Sequence, residues 1–200
     1  MARRKKSFWN ALKKALTISR YTKTLVLGED SGIEVKVLGN RPGVWSARYS
    51  DPGATDRKNN LKMLRELKNV PLEKRQARYR CVAALTDGDV IVGTVSGSCE
   101  GLIAERSKGK NGFGYDPLFY FEEFGKTFAE LSSDEKNRVS HRGKALNEVA
   151  AYGADYGQEI RLEVHGRGTQ YPEVLKQILD VADNSNVGAC WNCNKEDLEG

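Results

Sequence analysis

The sequence predicts a mixed α/β (α+β) domain, on three observations. Helix-like and strand-like runs intersperse along the chain. Asp87-Gly88, between Tyr79–Leu85 and Val90–Val95, is a hairpin signal. Apolar residues recur at helical spacing at Phe8, Ala11, Leu12, Ala15 and Leu16, and Leu61, Met63, Leu64 and Leu67 supply the apolar positions of a second helix. With 200 residues, the chain is long enough for one domain with tails. A hydrophobic fraction of 39% and a charged fraction of 30% are those of a polar, soluble protein. No apolar run is long enough to span a bilayer, and Lys13 and Lys14 interrupt what would be a signal core, so the reading is cytoplasmic. The net charge of +5 suits an anionic partner without naming one. Much of it sits on Arg3, Arg4, Lys5, Lys6, Lys13 and Lys14, read as a solvated basic end rather than a nucleic-acid arm.

The elements follow in order. Ser7 caps a helix running to about Tyr21. Thr24–Leu27 is a short apolar strand, Gly28–Gly32 a polar turn, and Ile33, Val35 and Val37 the inward side of a second strand. Asp56 caps a helix that Pro71 closes. After the hairpin, Cys99–Ala104 stays extended, and a glycine loop leads to the apolar run Leu118–Phe121. Ser132–Glu135 begins a helical turn, and Ser140–Gly143 opens a longer helix. Ile160–Val164 is a last strand, Pro172–Ala182 an amphipathic helix, and Asp183–Gly200 a polar tail.

Chemistry is concentrated in a few stretches. Glu29 and Asp30, at the end of an apolar strand, offer carboxylates to a divalent metal or a water nucleophile, or belong to an ordinary turn. In Gly109–Phe119, glycines stand among aromatics and one carboxylate. Such a loop either stacks on a flat ring while its amides bind oxygens, or folds its aromatics into the core. Lys136, His141 and Arg142 bring donors that suit a phosphate or a ring carbonyl, or simply a solvated helix start. Cys81 and Cys99 read as buried thiols. Cys190 and Cys193 form a lone C-x-x-C, which would make a zinc site only if two tails shared one ion.

Taken together these stretches resemble the inosine triphosphate pyrophosphatase family, over about Asn10 to Val149. The landmarks are Asn10–Leu12, Glu29–Val35, Pro42–Tyr49, Asn59-Asn60, Arg78-Tyr79, Gly101–Ile103, Gly112–Phe119, Thr127–Glu130, Glu135–Asn137 and Ser140–Leu146. The resemblance implies an elongated central mixed sheet flanked by helices, with boundaries at 1–9 for a basic leader, 10–170 for the domain and 171–200 for a C-terminal helix and tail. It implies hydrolysis of ITP, dITP and XTP to the monophosphate and pyrophosphate with Mg²⁺, and a homodimer. It makes Asp30 the catalytic carboxylate and metal ligand, and Ser31 a substrate contact. Phe113, Gly114, Tyr115 and Asp116 become the base loop, and Lys136, His141 and Arg142 the readers of the purine edge. Glu29 is expected as a second metal ligand. The family's first strand and its Ser/Thr-x-Asn-x-x-Lys phosphate loop find no counterpart, and Trp9 stands where a glutamate is usual. The alternative expectation is therefore a member of the same fold that binds a nucleotide or a partner with impaired catalysis.

Overall fold

The computed structural model describes residues 2–155, 160–163 and 187–190. The chain divides into two compact units, Met1–Ala145 and Leu146–Gly200. The first unit holds helix α1 (Ala2–Thr22) and strands β1 (Leu25–Val35) and β2 (Arg41–Pro42). Helix α2 (Asp56–Glu66) precedes the long hairpin β3 (Gln76–Asp87) and β4 (Val90–Ile103), then short strands β5 (Phe119–Phe121) and β6 (Lys126–Thr127). Helices α3 (Ser133–Val139) and α4 (His141–Asp155) follow. The six strands form one sheet in the order β2-β1-β3-β4-β5-β6. Every pairing in it is antiparallel, so this sheet is not itself mixed. In the second unit, β7 (Ile160–Glu163) pairs in parallel with β8 (Val187–Cys190).

Period-two alternation gives the sheet two buried faces. Odd-numbered residues Ile33, Val35, Ala77, Tyr79 and Cys99 join Met63 and Leu67 of α2 and the aromatic pair Phe119 and Phe128 in the larger core. Even-numbered Val82 and Ala84 pack against Ala11, Leu12 and Ala15 of α1 in the smaller one. Helix α1 lies close on β1 because Gly28 has no side chain: a Cβ there would stand 2.6 Å from the Ala11 carbonyl oxygen.

Several expectations are corrected. Gly28–Gly32 is not a turn. It is the middle of β1, paired residue by residue with Arg80–Ala84 of β3. The turn preference of Asp, Ser and Gly yields here to a continuous ladder, and the small residues admit the neighbours packed above them. Helix α1 starts at Ala2, so no break separates a basic leader from it; Arg and Lys are good helix formers. The cap of α2 is Thr55, whose side chain accepts from the Lys58 amide, and Asp56 is the first helical residue. Of the lone C-x-x-C, Cys190 lies in β8 and Cys193 lies outside the described residues, as does Pro172–Ala182. Among the described residues no helix is long and apolar enough to cross a membrane.

Candidate active site

Successive residues of a strand point to opposite faces, so β1 sends Asp30 one way and Glu29 and Ser31 the other. On the α1 face, Asp30 Oδ1 is 3.4 Å from both Asn10 Nδ2 and Lys14 Nζ. Asn10 and Lys14 are four apart and share a helix side. The Lys14 side chain is 58% exposed and that of Asp30 only 13%, which leaves the ammonium accessible beside a sheltered carboxylate. Lys14 also donates to the Glu29 carbonyl at 2.8 Å. Asp30 Oδ2 is buried with no hydrogen-bond partner, and so is Nη1 of Arg80. Arg80 stands opposite Gly32, next along the face that carries Asp30. A buried carboxylate oxygen lacking a donor calls for a cation, and a buried guanidinium nitrogen lacking an acceptor calls for an anion. No group of three or more His, Cys, Asp or Glu that could hold a metal occurs among the described residues. Asp30 alone still fits a hard divalent cation that takes its other ligands from substrate oxygens and water.

On the other face, Arg142 at the start of α4 grips Glu29 through both oxygens: Nε donates to Oε2 at 3.1 Å and Nη2 to Oε1 at 2.7 Å. Oε2 also accepts from Ser31 Oγ at 2.9 Å and from Cys81 Sγ at 3.1 Å. Burial pushes the Glu29 pKa up, but Arg142 and these hydrogen bonds outweigh it and bring it down to about 2. Burial and the Glu29 charge push the Cys81 thiol up, so it stays protonated and donates. With side chains 39% and 29% exposed, the Glu29–Arg142 pair is partly screened by water. Both oxygens of Glu29 are thus engaged, Oε2 three times over, on the face away from Asp30. The expected pairing of the two carboxylates on one metal is not the geometry of β1.

The glycine loop is built around Asp116. Its carboxylate accepts from the Phe113 amide at 2.8 Å, from Lys136 Nζ at 2.6 Å and from the Tyr79 hydroxyl at 3.3 Å. At Gly112, φ is +73° and a Cβ would lie 2.1 Å from Asp116 Oδ2, so glycine is required there. Helix α2 clamps the loop from outside: Asn60 Nδ2 donates to the Gly114 carbonyl at 2.8 Å, and the Gly114 amide donates to Asp56 Oδ2 at 2.7 Å. The Tyr115 hydroxyl donates to the Ser46 carbonyl at 2.8 Å. What this scaffold presents is Phe113, 62% exposed. Lys136 Nζ and Arg142 Cζ stand 4.9 and 5.7 Å from its ring centroid. His141 is buried and stacks on Tyr79 with centroids 4.7 Å apart. Burial, helped by the neighbouring Arg142 and Lys136 charges, lowers its pKa to about 3, so it is neutral. A cleft of about 430 Å³ opens beside the loop between Asn60, Leu64, Lys110 and Phe113, and Asp30 is not part of it.

The expected residues therefore fall into two groups. Glu29, Ser31, Phe113, Lys136 and Arg142 gather at one place, with Asp116, Gly114 and Tyr115 holding the loop and His141 beneath it. Asp30 lies across β1 from them, with Lys14, Asn10 and Arg80. Sequence reasoning gave no role to Lys14, Arg80, Asn60, Tyr79 or Cys81. A readable signal existed for Lys14, which lies one helical turn beyond Asn10.

Known proteins resemble this chain over most of its length. The Ham1 family model matches residues 4–152. A dITP/XTP pyrophosphatase of Desulforamulus reducens is 50% identical over 140 residues, 70% of either chain. A dITP/XTP pyrophosphatase of Bacillus cereus is 48% identical over 142 residues, 70% of this chain and 69% of that one. Among solved structures, the Staphylococcus aureus Ham1 protein superposes with a TM-score of 0.69 at 36% identity, covering 73% of this chain and 75% of its own. With a sequence match across most of its length and the same fold in solved relatives, this chain belongs to the Ham1 family.

Proposed function

We propose that this chain hydrolyses non-canonical purine nucleoside triphosphates (ITP, dITP and XTP) to the nucleoside monophosphate and pyrophosphate, with Mg²⁺. The names of its relatives support the reaction class. The observation that carries it to particular residues is the pair of unsatisfied buried atoms, Asp30 Oδ2 and Arg80 Nη1, on one face of the sheet. Between Leu25 and Ile33 the outer edge of β1 pairs with no strand among the described residues. A nucleotide laid over that edge brings its base to Phe113 and Arg142 and its phosphates to Asp30, Lys14 and Arg80.

Asp30 would hold the metal, which when bound neutralises phosphate charge. The chain's own groups do the rest. Lys14 and Arg80 bind phosphate oxygens. Asp30 accepts the proton of a water whose oxygen attacks the α-phosphorus; the bond from that phosphorus to the bridging oxygen breaks, and pyrophosphate leaves. Phe113 stacks on the base, and Lys136 and Arg142 donate to the six-carbonyl of hypoxanthine or xanthine. Adenine presents an amine there, and leaving buried donors unpaired costs about 1–3 kcal/mol each. Asp30→Asn is expected to lower kcat by at least 10³-fold while nucleotide binding and the folded circular dichroism spectrum persist. A variant as active as the parent removes Asp30 from the chemistry.

A further inference from the structure

We infer that Glu29 is a positioning residue for base selectivity, holding Arg142 beside Phe113, and not a ligand of the metal. The inference rests on the reading above that Arg142 meets the purine edge.

Four donors converge on the Glu29 carboxylate. Two come from Arg142, one from Ser31 and one from Cys81. Three of them fall on Oε2 and one on Oε1, so Oε2 is saturated and the carboxylate charge is already matched by a two-point guanidinium. The direction of the carboxylate is also wrong for sharing an ion with Asp30, since the two are neighbours in a strand. The same contacts have a clear effect on Arg142. A guanidinium on a long side chain has many rotamers, and gripping Nε and Nη2 in a two-point pair fixes its plane. Of its five N–H groups two are then used, leaving both on Nη1 and one on Nη2 for a ligand. The fixed guanidinium carbon lies 5.7 Å from the centroid of the exposed Phe113 ring. A flat ring stacked on Phe113 therefore meets preset donors at its edge. Ser31 and Cys81 flank Glu29 on β1 and β3 and hold the carboxylate as it holds Arg142; Ser31 and Cys81 are cross-strand partners. The arrangement is a relay from the sheet to the base, with Asp30 outside it.

The test is calorimetric titration of the full chain with inosine monophosphate and adenosine monophosphate in EDTA, paired with turnover against Mg²⁺ concentration. Glu29→Gln is expected to weaken inosine monophosphate binding by 10-fold or more and to flatten its preference over adenosine monophosphate. In turnover it raises KM more than it lowers kcat, and the Mg²⁺ concentration for half-maximal rate stays put. Arg142→Lys gives the same loss, and combining the two adds little. Cys81→Ala, which keeps the ion pair, loses preference only a few-fold; this variant carries the test if Glu29→Gln does not fold, and full retention of preference in it would then count against the relay. Glu29→Gln that keeps its preference but needs several-fold more Mg²⁺ overturns the inference and makes Glu29 a ligand. A parent chain that shows no preference for inosine monophosphate sinks the underlying reading, and this inference with it.

Discussion

His141 carries a pH dependence whose sign is fixed by its burial. The ring stacks on Tyr79, and its pKa falls to about 3 from an ordinary 6.5. Below pH 6.5 the unfolded chain takes up a proton that the folded chain refuses, so stability falls with falling pH, by up to about 1.4 kcal/mol per unit, until near pH 3. Glu29 acts in the same direction in a lower window: its folded pKa of about 2 means that its stabilisation, present above 4.5, is lost between 4.5 and 2. Urea titrations at pH 7.5, 6 and 5 are expected to show a steady loss in the parent and a much flatter profile in His141→Phe. An unchanged profile would mean that His141 is protonated in the fold. Asp116 is a second residue whose removal has a defined cost. It is 3% exposed and binds Lys136, Tyr79 and the Phe113 amide. Asp116→Ala leaves these donors unmet and is expected to cost about 3 kcal/mol, read as a lower urea midpoint. The sequence pointed to Asp116 through its place in a glycine loop. It could not show that the side chain faces inward, because Tyr79 and Lys136 are far away along the chain.

At the scale of elements, two glycines decide how close neighbours come. Gly28→Ala would drive a methyl group to 2.6 Å from the Ala11 carbonyl oxygen and 2.7 Å from the Ala15 nitrogen. Helix α1 must then lift from β1, at a cost of about 1–3 kcal/mol, and Lys14 moves with it. The expected signature is a lower thermal midpoint together with a raised KM, since the phosphate contact proposed for Lys14 is on α1. Gly112→Ala would leave α1 alone and distort the base loop, so selectivity should fall before stability does. The same stretch shows where local reading stopped. Residues 28–32 have turn composition, and only the pairing with β3 makes them strand. The helices and the β3–β4 hairpin were legible because their periodicity is local; the strand identity of Glu29–Gly32 was not, because a ladder partner fifty residues away settles it. That error also hid the separation of Glu29 from Asp30, since a turn can bring neighbouring side chains together and a strand cannot.

At the scale of the molecule, the two faces of one antiparallel sheet carry different chemistry. One face, beneath α3 and the start of α4, presents an aromatic ring and fixed donors suited to a purine. The other, beneath α1, presents a carboxylate and cations suited to phosphates and a metal. The order of motifs along the chain was enough to recognise the family and to point to Asp30, Glu29 and the residues around Phe113. Their division across β1, and the parts of Lys14, Arg80 and Asn60, came only with the fold. The most direct measurement is pyrophosphate release by the purified chain with Mg²⁺, comparing inosine, xanthosine, guanosine and adenosine triphosphates at equal concentration. Release from the first two at kcat/KM at least 100-fold above adenosine triphosphate is the predicted result, the size that two or three unmatched donors supply. Equal release from all four would contradict donor reading of the six-position, and no release from any would contradict the role given to Asp30.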